Sequence, residues 1–334
     1  MSALLEIEGL TVSLPVDRLP RVVLSDVTVS IAEGEAVGLV GESGSGKSMT
    51  ARAVGRILPR GAITGGRVDF DGVDVLGLEG GDLRRYRTEG VAMVFQDPRA
   101  HTNPVRRVGD FLTESMRTNL GMTSAASTAR AIELLDSVGI DDPPRRMRQY
   151  PHQLSGGMLQ RVMIASALAV RPRLILADEP TTALDVTTQA EVMAILDDLR
   201  REHGVALLLI THDLELASAV CDRTAVMYAG AVLQEQPSAT LHDDPLHPYT
   251  AALVRARPEI SSTSERLLAI PGRPLSAFEA PQGCAFAPRC SHADDACASG
   301  SLALLDVPGG RSRCRRIDEV RGTLLAPIDG GGHV

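Results

Sequence analysis

Two kinds of apolar pattern alternate along the chain. Leu5-Glu6-Ile7-Glu8 and Val27-Thr28-Val29-Ser30-Ile31 place apolar residues at every second position, which predicts half-buried antiparallel strands within residues 1–40. The stretch from Arg67 to Val75 repeats that alternation and turns on Asp71-Gly72. Ala36-Val37-Gly38-Leu39-Val40, Val91–Phe95, Leu174–Ala177 and Val205–Ile210 are continuous apolar runs, the mark of strands buried on both faces. Helical spacing covers Met49–Ile57, Asp110–Asn119, Ser127–Val138 (closed by Gly139) and Met158–Ala169. Thr224–Tyr228, a Gly230 turn and Ala231–Gln234 predict a hairpin. Together these describe an α/β fold with a mostly parallel sheet, an N-terminal antiparallel β subdomain and a helical subdomain over about 98–170. After Gln236 the texture changes, and Pro237, Pro245, Pro248, Pro258, Pro271, Pro274 and Pro281 punctuate short segments. The expected division is therefore a first domain over 1–236 and a loop-rich extension, a tail or small appended domain, over 237–334.

Composition narrows the class without naming it. A chain of 334 residues, 44 % apolar and 23 % charged, has room for two domains and a substantial core. The net charge of −8 argues against nucleic acid as the main partner. Arginine pairs such as Arg84-Arg85, Arg145-Arg146 and Arg200-Arg201 are scattered, as solvated surface would be. No apolar run approaches the roughly 20 residues of a bilayer span, and Met1-Ser2-Ala3-Leu4 is no signal peptide, so cytoplasm is the expected compartment.

The chemistry sits at the carboxyl ends of the buried strands, where open α/β sheets bind ligands. Gly41-Glu42-Ser43-Gly44-Ser45-Gly46-Lys47-Ser48 follows one such strand, opens a helix and matches the phosphate-loop pattern. Backbone amides of Gly41, Ser43, Gly44, Gly46 and Met49, reinforced by the helix dipole, would cradle phosphate oxygens. Lys47 would reach the β- and γ-phosphates of ATP, with the Ser48 hydroxyl on Mg²⁺. Lys47 is also the only lysine in a chain that otherwise uses arginine, and an ammonium is not interchangeable with a guanidinium. Asp178 ends a second buried strand and can hold Mg²⁺, while the adjoining Glu179 can orient and deprotonate an attacking water. Leu154-Ser155-Gly156-Gly157-Met158-Leu159-Gln160-Arg161 opens another helix and makes a second anion-binding helix start.

In order along the chain, the phosphate loop, Gln96, Leu154-Ser155-Gly156-Gly157, Asp178-Glu179, Ala183-Leu184-Asp185 and His212 resemble the ATP-binding subunits of ABC transporters. That resemblance implies that Gln96 contacts Mg²⁺ and the attacking water. It implies that Ser155 and Gly157 bind the γ-phosphate of nucleotide held by an opposite subunit. Asp185 would lie at the seam between the two, and His212 would contact the γ-phosphate. Phe95-Gln96-Asp97-Pro98, His247-Pro248-Tyr249-Thr250 and Gly283-Cys284-Ala285-Phe286-Ala287-Pro288-Arg289-Cys290 are similar to the oligopeptide/dipeptide importer branch, including its C-terminal extension. The implied protein energises peptide import from the cytoplasmic face of the membrane. Its partners would be two membrane permease subunits, a second ATP-binding subunit and an extracellular or periplasmic substrate-binding protein. The alternative is a soluble ABC-type ATPase acting on DNA or the ribosome. Such relatives carry long coiled-coil insertions or a second ATPase unit, and no sustained heptads appear here.

Two features depart from that frame. No aromatic residue precedes Phe70, so the ring that usually stacks on adenine is missing; Leu14, Arg18 and Arg21 are the nearest candidates, and an arginine plane can stack on a base. Leu159 also stands where a polar residue is usual. Among the five cysteines, Cys221 reads as a buried helix residue, and Cys284, Cys290, Cys297 and Cys314 crowd the extension. Their spacing contains no Cys-x-x-Cys pair, which puts a 4Fe–4S cluster first, plain reduced thiols second and Zn²⁺ third.

Overall fold

A computed structural model describes residues 3–17, 19–182, 184–256, 270–300 and 302–326. The strands in order are β1 (Ala3–Val16), β2 (Leu19–Ala32), β3 (Ala36–Val40), β4 (Ile63–Phe70), β5 (Val73–Asp74), β6 (Val91–Val94), β7 (Leu174–Asp178), β8 (Ala206–Thr211), β9 (Arg223–Tyr228), β10 (Ala231–Pro237), β11 (Leu305–Val307) and β12 (Gly310–Ser312). The helices are α1 (Lys47–Val54), α2 (Gly80–Arg85), α3 (Val108–Thr118), α4 (Ser124–Ser137), α5 (Pro143–Arg146), α6 (Gly156–Ala169), α7 (Val186–His203), α8 (Leu214–Val220), α9 (Pro248–Arg255) and α10 (Ile317–Val320).

The alternating stretches form an antiparallel sheet in the order β2-β1-β4-β5. Leu5 and Ile7 are buried while Glu6 and Glu8 face solvent, as a period of two requires. A second sheet runs β11-β12-β10-β9-β3-β8-β7-β6, and β9, β3, β8, β7 and β6 are parallel neighbours. Every residue of β3, β7 and β8 is buried, which explains their unbroken apolar runs. Register fixes the site: Val40 lies opposite Thr211, and Asp178 opposite Ile210. The residues that follow β3, β7 and β8 therefore emerge side by side.

The helices α3, α4 and α6 share a core that includes Leu112, Met116, Leu134, Leu135 and Val162. Leu159 belongs to it and is fully buried, which is why an apolar residue stands there. Arg200, expected at the surface, is buried as well; its guanidinium donates to Asp197 (2.7 Å) and to the Gly34 carbonyl (2.9 Å). Cys221 is buried but lies just past α8, at its C-cap rather than inside it.

The extension shares its core with the α/β layer. The β11–β12 hairpin continues the large sheet along the edge of β10, pairing Gln234 with Ser312 and Glu235 with Arg311. Glu235, 2 % exposed, is neutralised by Arg223 and by Arg311 at 3.1 Å. Tyr249 and Phe286 from the extension pack on Tyr228 of β9, with ring centroids 4.8 and 5.6 Å away. Among the described residues, no helix is long and apolar enough to cross a membrane.

Candidate active site

Between β3 and α1 the chain loops tightly over the helix start. Gly46 has φ 107°, a left-handed conformation that glycine takes without the strain an L side chain would bring. Lys47 is buried beneath the loop, where its ammonium donates to the Gly41 carbonyl (2.8 Å) and the Glu42 carbonyl (3.0 Å). Burial lowers its pKa, opposed by the carboxylates of Glu179, Asp178 and Glu42. Ser43, Gly44, Gly46, Lys47, Ser48, Met49, Gln96 and Glu179 line one cavity of about 380 Å³. Its outer wall comes from the extension, through Ser276, Ala277 and Phe278.

Does this cradle fit a magnesium nucleotide? The Ser45 hydroxyl is buried without a hydrogen-bond partner, an orphan polar group within the phosphate loop. The Ser48 hydroxyl donates to Asp178 Oδ1 at 2.6 Å, pairing two hard oxygen donors of the kind Mg²⁺ takes. Burial raises the Asp178 pKa, and the Ser48 bond works against that rise. The donor set fits.

Glu179 follows Asp178 with φ 46°, a left-handed conformation that costs a non-glycine residue about 1–3 kcal/mol. Its amide donates to the Ile210 carbonyl (2.9 Å), which ties it to the neighbouring strand. Gln96 Nε2 and the Thr182 hydroxyl donate to Glu179 Oε2 at 3.0 and 2.8 Å, and His212 Nδ1 lies 3.6 Å from the same oxygen. Gln96, Glu179 and His212 therefore converge. Thr182 escaped the sequence reading, although its place three residues after an acidic strand end is a visible signal.

Ser155, Gly157 and Asp185 gather elsewhere. Ser155 caps α6 by accepting from the Met158 amide (3.3 Å), and Asp185 caps α7 by accepting from the Thr188 amide (3.0 Å) and hydroxyl (2.8 Å). Those bonds hold the Asp185 carboxyl below its usual pKa. A Cβ on Gly157 would meet Thr188 at 2.5 Å, so the two helix starts can nest only with glycine there. All three residues line a separate cavity of about 440 Å³ and none of them lines the Lys47 cavity. Ala183 lies outside the described residues, as does Arg18.

Residues 24–182 match the ABC transporter family, and 235–297 match the oligopeptide/dipeptide transporter C-terminal region. The chain is 41 % identical to the oligopeptide transport ATP-binding protein OppD of Escherichia coli K12, covering 93 % of each. It is 42 % identical to the dipeptide transport ATP-binding protein DppD of the same organism, covering 93 % of this chain and 96 % of that one. The chain belongs to the ATP-binding subunits of oligopeptide/dipeptide ABC importers. A solved dimer of the ATP-binding cassette MJ0796, in a post-hydrolysis state with ADP and Pi, matches with a TM-score of 0.63 at 30 % identity, covering 70 % of this chain and 98 % of that one. The fold is that of an ABC ATPase.

In this importer subunit the extension grips the phosphate loop. The Glu42 amide donates to the Tyr249 hydroxyl (3.0 Å), and Arg289 Nη1 and Nη2 donate to the Glu42 carboxylate at 2.7 and 3.2 Å. Arg289 is further held by Pro271 O (2.8 Å) and the Tyr228 hydroxyl (3.3 Å). Tyr249 and Arg289 were not legible as site residues, because 207 and 247 positions separate them from Glu42.

The fold also brings Cys284, Cys290, Cys297 and Cys314 to one small cavity beside His247, whose Nε2 is 3.9 Å from Cys284 Sγ. All are free thiols. Burial pushes Cys290 and Cys314 up to about 11 and His247 down to about 3, so all three are neutral near pH 7. Among the described residues, no three His, Cys, Asp or Glu side chains stand close enough to hold a metal ion.

Proposed function

We propose that the subunit hydrolyses ATP to energise import of di- or oligopeptides across the cytoplasmic membrane, as a peripheral component on its inner face. Two permease subunits, a second ATP-binding subunit and a substrate-binding protein complete the machine. The observation that carries this reading is the separation of Ser155, Gly157 and Asp185 from the Lys47 cavity. One chain offers two unlike half-sites, and pairing two such chains would bury each nucleotide at a seam. The kinship with OppD and DppD supports peptides as cargo over an action on DNA or the ribosome.

At the seam, the loop amides and Lys47 bind the phosphates. Ser48 and Asp178 would hold Mg²⁺ with Gln96 nearby, and the ion would neutralise charge on the phosphate oxygens. Gln96 and Thr182 fix the Glu179 carboxylate through Oε2, so that Oε1 can take the proton of an attacking water. His212 stands beside the same carboxylate and would contact the γ-phosphate. Closure of the pair would drive the permeases between access states, and hydrolysis would reopen it. The test is labelled-peptide uptake into vesicles carrying the whole complex. ATP-dependent uptake is expected; nucleotide turnover that peptide and binding protein never influence would refute the transport assignment.

For the extension we propose that the four cysteines hold a 4Fe–4S cluster. The support is that the fold gathers all four into one cavity, and a 4Fe–4S cluster takes four cysteines at varied spacing. Iron would displace the thiol protons that burial now favours. Protein purified without oxygen should be brown, absorb near 400 nm and carry about four irons per chain. Colourless protein with stoichiometric zinc would overturn the cluster.

A further inference from the structure

The first 69 residues contain no aromatic ring, yet the nucleotide cavity has one. Phe278 lines it together with Val22 and Val23 of β2 and the phosphate loop, and half of its surface (50 %) is open. The Arg21 guanidinium sits 5.1 Å from the centroid of that ring. We propose that Phe278, lent by the C-terminal extension and paired with Arg21, is the adenine-stacking platform of this site.

Three observations set this ring apart from ordinary exposed phenylalanines. First, the turn that carries it is rigid. Glu279 accepts from the Ser276 amide (3.0 Å), and Arg273 clamps the same carboxylate with two bonds of 3.0 and 2.5 Å. The Leu275 amide donates to Tyr228, in the sheet (3.1 Å). A ring carried on a turn this firmly bonded, and still left half open, has the low backbone ordering cost that a stacking surface needs.

Second, the turn is registered against the phosphate loop. The Gly230 amide donates to the Ser45 carbonyl (2.9 Å), and its own carbonyl accepts from the Ser25 amide (2.8 Å). A Cβ on Gly230 would stand 2.6 Å from Ala277, so glycine is what lets the turn approach. One residue thus spaces the ring from the phosphate cradle. That spacing is what a ligand with a base at one end and a triphosphate at the other requires.

Third, the chemistry is complementary. Adenine offers a π-face to a phenyl ring, and Arg21 adds a cationic plane that stacks on bases as readily as on rings. Neither group reads the hydrogen-bonding edge of the base, so the platform selects for a purine face more than for adenine itself. The extension would then be part of every nucleotide site, because its absence removes both the ring and the Arg289 contact to Glu42.

This proposal rests on the phosphate-loop assignment, so its test uses two probes on the full-length chain: Mg-ATP, and Mg-tripolyphosphate, which has no base. Calorimetric titration of Phe278→Ala is expected to show ATP binding roughly tenfold weaker, with tripolyphosphate binding unchanged. Phe278→Tyr should restore ATP binding, and 1,N6-etheno-ATP, whose fluorescence is quenched by stacking, should brighten on the alanine variant relative to wild type. ATP affinity unchanged in a folded Phe278→Ala protein would overturn the platform. Equal weakening of both probes would locate the damage in the phosphate cradle and overturn it as well. If wild type itself ignores tripolyphosphate and ATP while Lys47→Ala behaves identically, the phosphate-loop reading is what has failed, and the platform falls with it.

Discussion

Glu179→Gln is expected to abolish ATP turnover in the assembled importer while leaving ATP binding intact. The substitution keeps size and shape at a position whose φ of 46° glutamine adopts as well as glutamate does. It also keeps an oxygen able to accept from Thr182, so the surroundings should not rearrange. What it removes is the basicity that takes the proton from water. A positioned general base contributes roughly 10² to 10⁴ in rate, so phosphate release should fall by that factor. Bound nucleotide, measured by filter binding, should stay at the wild-type level and accumulate as ATP. Near-normal phosphate release would remove Glu179 from its role and leave Gln96 or His212 as the group to examine.

Arg289→Ala carries the second large effect, and it acts on stability and binding together. The arginine side chain is 5 % exposed and its Glu42 partner 21 %, so solvent screens the pair little. Removing one member of such a pair strands the other and costs about 3–5 kcal/mol. The stranded member is a carboxylate in the phosphate loop, where its charge would oppose the incoming triphosphate. Both the melting temperature and the affinity for ATP should therefore fall. Glu42→Gln in the same chain removes the stranded charge, and the double variant should recover much of the lost affinity. A single variant that melts and binds as wild type does would show that the extension does not support the loop.

Much of this was legible in the sequence, and what escaped has a common cause. The glycines, Lys47 and Ser48 form one short local pattern, and local chemistry dictates their arrangement. Asp178, Glu179, Gln96 and His212 were readable because buried parallel strands deliver their ends to one edge of a sheet. The missing information concerns contacts made across long stretches of chain. Tyr249 and Arg289 look like ordinary residues of a proline-punctuated tail, and only the shared sheet edge and the Tyr228 cluster bring them to Glu42. Phe278 is illegible for the same reason: the aromatic-free N-terminal stretch points to Leu14, Arg18 and Arg21, whereas the ring in the cavity arrives from the far end of the chain. Burial of Arg200 was unreadable because the long α7 surface pattern gives no hint that Gly34 and Asp197 would receive its guanidinium.

If Ser155 and Gly157, which lie apart from the Lys47 cavity of their own chain, complete the site of a second subunit, catalysis needs both chains. The most direct test is the ATPase rate per chain, measured across a dilution series of the isolated subunit and again after assembly with the permeases, with sedimentation reporting the oligomeric state. With a shared site, the rate per chain should collapse as the protein becomes monomeric and recover on assembly. A subunit that sediments as a monomer and hydrolyses ATP at the full assembled rate would contradict it.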